Sequence, residues 1–190
     1  MILLLALALA DPTGLVSLFS VRGMGRGCPI SETHMLTARH LAIHETSWGP
    51  PSPVSVVWSD GTGASGSAWT IDYDLRRDVA LMQSDTPFGR PYPIASEPPA
   101  IGDEVLIAGY EFGRKFELRV LKARILNMVA QHLILSEAGE SGFSGSCVLN
   151  AQNEIVAIFH WGVNYGGRSR GVASSVWGPW RSVGWMPPKE

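Results

Sequence analysis

The chain lacks several features that would assign it to a common functional class. Its formal net charge is only −2, with 15 Lys and Arg against 17 Asp and Glu, so no electrostatic argument favours a nucleic-acid partner. It has no phosphate-binding glycine loop, no coiled-coil heptads, no internal repeat and no low-complexity segment. What remains is an ordered globular protein, in agreement with 45% apolar and 17% charged residues.

Cysteine is also scarce. Cys28 and Cys147 are the only two, and they show neither metal-ligand spacing nor a Cys-x-x-Cys pair. They are therefore not expected to bind a metal. One interpretation is two small buried residues, and the other is a disulfide formed in an oxidising compartment.

The only long apolar run is the N-terminal MILLLALALA, and residues 1–13 are separated from the rest as an apolar segment. The run is too short to span a bilayer. It ends in Ala-Leu-Ala, as a secretory signal does, but no Lys or Arg precedes it. A cleaved signal, a buried first strand or helix, and the end of a longer hydrophobic segment all stay open.

Glycine and proline are abundant, with 21 and 13 residues. They separate short apolar runs, which favours many short strands over long helices. Five prolines lie within residues 87–99, which predicts a surface connector, because proline cannot donate to a β-ladder. Residues 23–27 predict a glycine-rich turn, and Asp60-Gly61 predicts a hairpin.

Three residues form a catalytic pattern. Ser144 lies in a Gly-Phe-Ser-Gly turn before an apolar strand. A serine nucleophile needs a base and a group that orients the base. Histidine suits the base because it titrates near neutrality, and a buried aspartate fixes its tautomer. The chain supplies His40, Asp78 and Ser144 in that order.

The sequence around these residues resembles the chymotrypsin-like (trypsin-fold) serine peptidases. Residues 36–40 (Leu-Thr-Ala-Arg-His) are similar to the Leu-Thr-Ala-Ala-His signature, and residues 78–81 (Asp-Val-Ala-Leu) to Asp-Ile-Ala-Leu. Residues 142–146 resemble the serine loop of the HtrA-like and glutamyl endopeptidase branches. Residues 101–110 resemble a further segment of the HtrA-like proteases. The resemblance covers roughly residues 15–176.

This resemblance implies an all-β fold of two antiparallel six-stranded β-barrels, with the active site in the crevice between them. The first barrel would span residues 14–86 and the second barrel, with the tail, residues 100–190. The connector at 87–99 and the many short strands agree with this division.

The resemblance also implies the chemistry of a serine endopeptidase. Ser144 would attack a peptide carbonyl, His40 would act as base and then as acid, and Asp78 would hold His40. The N–H groups of Gly142 and Ser144 would bind the oxyanion. Such an enzyme acts on polypeptides and needs neither a cofactor nor a metal.

Each catalytic role has a rival nearby in the sequence. Ser141 mimics the Gly-Asp-Ser-Gly of digestive proteases, but a phenylalanine stands where glycine is expected after it. His34 and His44 lack the Thr-Ala context of the family motif. Asp72 and Asp74 do not precede an apolar run and are typical of turns.

The resemblance assigns five residues to a specificity pocket. Ala138 and Gly139 would form an uncharged base. His160, Trp161 and Gly162 resemble the His-Trp-Gly wall of glutamyl endopeptidases with a one-residue offset, where the histidine helps to accept an acidic side chain. The hydroxyl that those enzymes place at the base is missing. Preference for an acidic residue and preference for a small or apolar residue before the cleaved bond both stay open.

The serine loop departs from the family pattern at two positions. Phe143 replaces the aspartate that receives a freed N-terminus in digestive proteases, so the site must be held in another way. Cys147 replaces a proline, and Cys28–Cys147 is the one intramolecular disulfide that the chain allows. Two non-enzymatic alternatives remain: an inactive relative that serves as an interaction module, and a β-barrel binding protein with coincidental motifs. The setting is expected to be extracytoplasmic in a bacterium, or that of a virus or phage.

Overall fold

The computed structural model describes residues 16–20, 23–46, 49–53, 56–59, 65–110 and 118–177. The predictions for residues 1–13, for the Asp60-Gly61 hairpin and for the tail after Trp177 lie outside these residues. No helix in the described part is long and apolar enough to cross a membrane.

Strands make up nearly all of the regular structure. They are β1 (Val16–Ser20), β2 (Gly23–Pro29), β3 (His34–Ala38), β4 (Ile43–Thr46), β5 (Gly49–Pro53), β6 (Val56–Ser59), β7 (Ser65–Asp74), β8 (Val79–Ser84), β9 (Glu104–Tyr110), β10 (Leu118–Val129), β11 (His132–Leu135), β12 (Cys147–Leu149), β13 (Ile155–Tyr165) and β14 (Arg168–Ser175). A single helical turn, α1 (Arg39–Ala42), lies between β3 and β4.

The strands close into two antiparallel six-stranded barrels, which confirms the predicted fold class. The order around the first barrel is β1-β2-β3-β8-β7-β6, and around the second it is β10-β11-β14-β13-β12-β9. β4 and β5 form a separate two-stranded sheet. The first barrel's last strand ends at Ser84 and the second barrel's first strand begins at Glu104, with the proline-rich stretch between them.

Strands β3 and β8 carry apolar side chains on both faces, which agrees with burial on both sides. Successive side chains of a strand point to opposite faces. Met35 and Ala80 pack in the core of the first barrel, whereas Leu36, Val79 and Leu81 pack against the second barrel. Full burial of a side chain of the size of Leu or Val contributes about 1.5–3 kcal/mol, so these two strands stabilise both the first barrel and its contact with the second.

The second barrel completes that shared apolar cluster from the other side. It contributes Cys147, Leu149, Ile155 and Ile158. A Cys28–Cys147 disulfide lies within the cluster and joins β2 to β12. The two barrels are therefore connected covalently as well as by packing.

The glycine-rich turn predicted at residues 23–27 is wrong, since these residues belong to β2. The reason lies outside the local sequence. A Cβ on Gly25 would lie 2.2 Å from Leu41 Cδ1 and 2.7 Å from the carbonyl oxygen of Ser144. Gly25 is needed because another part of the backbone approaches the strand closely.

The disulfide is expected to stabilise the fold strongly, because it closes a loop between residues 119 positions apart. A Cys28→Ala/Cys147→Ala double variant is expected to lose about 2–5 kcal/mol of unfolding free energy in urea titrations. A reductant should lower the unfolding midpoint of the wild type and leave that of the variant unchanged. A variant as stable as the oxidised wild type would contradict this role.

Candidate active site

His40 and Asp78 come together because the strands that precede and follow them are paired. Ala38, the last residue of β3, is the register partner of Val79, the first residue of β8. His40 lies two residues after Ala38, and Asp78 directly precedes Val79. The local chain order thus brings both side chains to the same edge of the first barrel.

Two hydrogen bonds fix the histidine on the aspartate. The His40 main-chain N–H donates to Asp78 Oδ1 at 2.9 Å, and His40 Nδ1 lies 2.7 Å from Asp78 Oδ2. Since a carboxylate only accepts, Nδ1 carries the proton and Nε2 keeps its lone pair. The imidazole is 39% exposed, so Nε2 can reach a substrate.

Asp78 itself is held as an anion. Burial alone would raise the pKa of this carboxyl, but the hydrogen bonds and charge of His40 outweigh burial and keep the pKa below its usual value. Arg39 Nε lies 3.7 Å from Oδ1 and adds positive charge. The main-chain carbonyl of Asp78 accepts the Arg39 N–H at 2.8 Å, which fixes the backbone at this point.

Ser144 lies in a loop that requires glycine on both sides. Gly142 and Gly145 adopt φ values of 97° and 84°, in the region that favours glycine. A Cβ on Gly145 would lie 2.0 Å from the carbonyl oxygen of Arg26. The Arg26 N–H donates to the carbonyl of Ser144 at 2.7 Å, so β2 of the first barrel supports the loop directly.

Phe143 supplies an anchor for the same loop. Its side chain is fully buried and packs so closely on Gly109 that a Cβ there would lie 2.8 Å from Phe143 Cδ1. Its ring meets that of Phe159 edge-on, with centroids 6.4 Å apart. Apolar packing thus holds the loop at the position where digestive proteases have an aspartate.

A cavity of about 430 Å³ brings the three predicted catalytic residues together, since His40, Asp78 and Ser144 all border it. The Ser144 hydroxyl donates to the main-chain carbonyl of His160 at 2.6 Å. A hydroxyl has one proton, so in this conformation it is not donated to His40.

The rival residues lie elsewhere. His34 is bonded to Ser31 and Thr33 through Nδ1, and His44 is an exposed residue of β4. Asp72 and Asp74 belong to β7, so their prediction as turn residues is wrong. The Asp72 side chain accepts the N–H of Tyr73 within the strand, and Asp74, the last residue of β7, accepts those of Arg76 and Arg77 in the turn that follows. Ser141 is exposed and does not border the cavity that holds His40 and Asp78.

A second cavity of about 460 Å³ also borders Ser144. All five residues predicted for the specificity pocket border it, and so do several others; its lining is Ala138, Gly139, Glu140, Ser141, Ser144, Phe159, His160, Trp161, Gly162, Val163, Asn164 and Ser169. Glu140 is the one charged side chain in this lining. Its Oε1 lies 3.2 Å from Arg119 Nη1, and the side chain is exposed.

Phe159 is one of the lining residues that the sequence did not predict for the pocket. Its ring lies beneath Gly139, where a Cβ would come within 2.7 Å of Cζ. Neighbouring residues of a regular strand face opposite ways, but the register of β13 shifts between Phe159 and Trp161, so alternation gave no clear signal here. The ring of His160 is fully buried.

The ring of His160 lies against Asp78. The residue is fully buried, and its Nδ1 is 3.4 Å from Asp78 Oδ2. The rings of Trp161 and His132 lie at centroid distances of 5.3 and 6.4 Å. Burial, reinforced by the nearby His40 and His132 and opposed by Asp78, lowers the pKa of His160 to about 3, so its imidazole is neutral at pH 7.

Among the described residues, no group of three His, Cys, Asp or Glu side chains is placed to hold a metal ion.

Comparison with known protein families gives one match. The Trypsin-like peptidase domain family matches residues 25–158, a stretch that contains all three catalytic candidates. No curated protein sequence matches the chain.

Solved structures of proteases share the fold. The Rv3671c protease from M. tuberculosis in its active form superposes with a TM-score of 0.75 at 17% identity, over 97% of this chain and 85% of that one. The inactive form of that protease gives a TM-score of 0.69 at 19% identity, and the match covers 90% of this chain and 87% of that one. The serine endoprotease from Yersinia pestis gives 0.70 at 21% identity; the match covers 90% of this chain but only 61% of that protein.

The neutral state of His160 predicts a pH dependence of stability. Between pH 7 and 5 the unfolded chain protonates this histidine, with an ordinary pKa near 6.5, whereas the folded protein, with a pKa of about 3, does not. The unfolded state therefore gains protons as pH falls, and His160 accounts for a loss of about 2 kcal/mol of stability over this range.

Urea unfolding of a His160→Asn variant at both pH values measures this contribution. The variant should lose less stability on acidification than the wild type. A His44→Asn variant, altered at an exposed histidine, should keep the wild-type difference. An unchanged pH dependence in His160→Asn would show that the folded protein protonates His160 readily.

Proposed function

The chain belongs to the Trypsin-like peptidase domain family, and from this premise we propose that it is a serine endopeptidase that acts through Ser144, His40 and Asp78. One observation carries the proposal: an imidazole held by a buried carboxylate at 2.7 Å borders the same cavity as a serine on a glycine-flanked loop. This is the arrangement that nucleophilic catalysis by serine requires.

The residues have distinct roles in the proposed reaction. Ser144 Oγ bonds to the carbonyl carbon of the scissile peptide while its proton passes to His40 Nε2. The C–N bond then breaks, His40 returns the proton to the leaving amine, and an acyl-enzyme remains on Ser144. Water then attacks this ester, with His40 again acting first as base and then as acid. Asp78 stabilises the imidazolium in both steps.

The hydroxyl of Ser144 must turn toward His40 before it can react. In the structure it donates to the carbonyl of His160. Rotation about the serine Cα–Cβ bond moves a hydroxyl between staggered positions at low cost. Catalytic hydrogen bonds are often absent or long without substrate and form in the complex.

The N–H groups of Gly142 and Ser144 are the proposed oxyanion hole. Within the described structure, neither donates a hydrogen bond to another protein group, whereas those of Phe143, Gly145 and Ser146 each do. Two free N–H groups beside the nucleophile can stabilise the charge that develops on the substrate oxygen.

The pocket bordered by Ala138 and Gly162 supports a preference for a small or apolar residue before the cleaved bond. The Phe159 ring borders it, and the carboxylate of Glu140, which also borders it, disfavours an acidic side chain. The ring of His160 is buried against Asp78 and has no exposed surface to offer to a substrate carboxylate.

The disulfide within the apolar cluster supports an oxidising compartment, since such bonds persist mainly outside the cytosol. Polypeptides are the proposed substrates, and the rival proposal is an inactive relative that binds them without cleavage. The intact set of His40, Asp78 and Ser144 favours the enzyme.

A fluorophosphonate probe distinguishes these two functions. The wild type is expected to be labelled on Ser144, and a Ser144→Ala variant to remain unlabelled, with peptidase activity reduced by about 10⁶-fold. A Ser141→Ala variant is the matched control and should be labelled as the wild type is. Equal labelling of wild type and Ser144→Ala, or no labelling of either, would contradict the proposed reaction.

The size of the pocket predicts the effect of filling it. A Cβ on Gly162 would lie 3.5 Å from the Cβ of Ala138, so a Gly162→Val side chain enters the opening. Cleavage after leucine should fall by about tenfold or more relative to cleavage after alanine, because the valine methyl groups occupy space that the larger side chain needs, and even one methylene of misfit costs roughly 10-fold or more.

Peptide-library profiles of both proteins provide the measurement. A Tyr165→Val variant, farther along β13 and outside the pocket lining, should keep the wild-type profile. A wild-type preference for glutamate, or a Gly162→Val variant with an unchanged profile, would be inconsistent with this pocket.

A further inference from the structure

Two large apolar side chains stay exposed beside the proposed catalytic histidine. Trp161 is 44% exposed and Leu75 is 59% exposed, and both border the cavity of about 430 Å³ that holds His40 and Ser144. The ring centroids of Trp161 and His40 lie 6.5 Å apart. The proposed reaction gives neither side chain a role in this cavity, so their apolar surface is open to a part of the substrate.

Three charged side chains border the same cavity, and one of them lacks an opposite charge beside it. Arg39 Nε lies 3.7 Å from Asp78 Oδ1, so these two charges largely offset each other. Arg76 is exposed, and its side chain forms no ion pair within the described residues. The cavity therefore presents one unpaired positive charge together with apolar surface.

The carboxylate that precedes Arg76 in the chain is already engaged. Asp74 Oδ1 accepts the main-chain N–H groups of Arg76 and Arg77 at 2.7 and 3.1 Å. Asp74 Oδ2 lies 3.5 Å from Nε of the buried Arg77. The main chain of Arg76 thus helps to fix the turn between β7 and β8, while its guanidinium is left for a ligand.

We propose that this cavity is a second specificity site, in which Arg76 pairs with an acidic side chain of the polypeptide substrate. The carboxylate meets the guanidinium, and the methylenes of the side chain pack against Leu75 and Trp161. This inference deepens the proposed peptidase function and rests on it. It concerns a substrate position other than the residue directly before the cleaved bond, which the proposed function places in the cavity bordered by Ala138 and Gly162.

The chemistry of the lining favours glutamate over aspartate. Both present a carboxylate, which matches the planar fork of an arginine, but glutamate has one more methylene to pack on the apolar surface. An exposed ion pair changes a binding constant by about two- to fivefold, and added salt screens it. The preference is therefore modest and depends on ionic strength.

A peptide library with alanine fixed before the cleaved bond tests the site. The wild type is expected to select glutamate over glutamine by about two- to fivefold at one position close to that bond. Arg76→Gln should abolish this selection. Arg76→Glu should select lysine at the same position, so that the ratio of glutamate to lysine falls by about tenfold or more, because attraction is replaced by repulsion. The turn uses only the main chain of Arg76, so both variants should fold.

Ionic strength provides a second readout. Added sodium chloride should lower kcat/KM for the glutamate peptide more than for the glutamine peptide, and Arg76→Gln should remove this difference. Arg168→Glu is the matched control. It makes the same change in charge at an exposed residue that borders neither cavity, and it should keep the wild-type selection.

The outcomes separate this inference from the proposed function. An active wild type without selection for glutamate, or an Arg76→Glu variant with the wild-type profile, overturns the inference and leaves the function standing. An inactive wild type overturns the function, and fluorescence anisotropy of labelled glutamate and lysine peptides of the same frame then decides. Tighter binding of the glutamate peptide by the wild type, reversed in Arg76→Glu, supports the site. Equal or undetectable affinities overturn it.

Discussion

Strand β2 of the first barrel lies directly against the loop that carries Ser144, and the arrangement of the site depends on this contact. The Arg26 N–H donates to the Ser144 carbonyl at 2.7 Å, and Gly145 lies so close to Arg26 that no Cβ would fit. The disulfide between Cys28 and Cys147 joins the same strand to the strand after the loop. From the other side, Phe143 fixes the loop in the core of the second barrel. The serine is thus positioned by both barrels, while the histidine and aspartate belong to the first.

Asp78 is the second point at which several groups converge. Its carboxylate bonds to His40 through both oxygens and lies near Arg39 and His160. Burial would by itself favour the protonated acid, and only the surrounding donors hold its pKa below the usual value. In the folded protein these donors therefore offset the burial of the carboxylate. Two imidazoles flank it in different environments: His40 is partly exposed and can exchange protons with a substrate, whereas His160 is buried and neutral.

Much of the fold and of the catalytic pattern could be predicted from short local motifs. The motifs at 36–40 and 78–81 each include apolar residues of β3 or β8, which are buried on both faces. His40 lies just after the end of β3, and Asp78 directly precedes β8. What could not be predicted depends on contacts between distant segments. The glycines at 23–27 indicated a turn, but they form a strand that the serine loop approaches. The side of β13 on which the His160 ring lies depends on a register shift between Phe159 and Trp161. The sequence does not reveal this shift. The roles of Gly142 and Ser144 and the specificity of the pocket stay predictions.

The central claim is that Ser144 and His40 act as one catalytic pair across the two barrels. A crystal structure of the protein after reaction with a peptidyl fluorophosphonate tests it most directly, because the reagent bonds to the nucleophile and leaves the base in place. The account predicts phosphorus on Ser144 Oγ, with His40 Nε2 about 3 Å from an oxygen of the adduct or from Oγ. An adduct on another residue, or His40 Nε2 more than about 6 Å from Ser144 Oγ, well beyond hydrogen-bond reach, would contradict it.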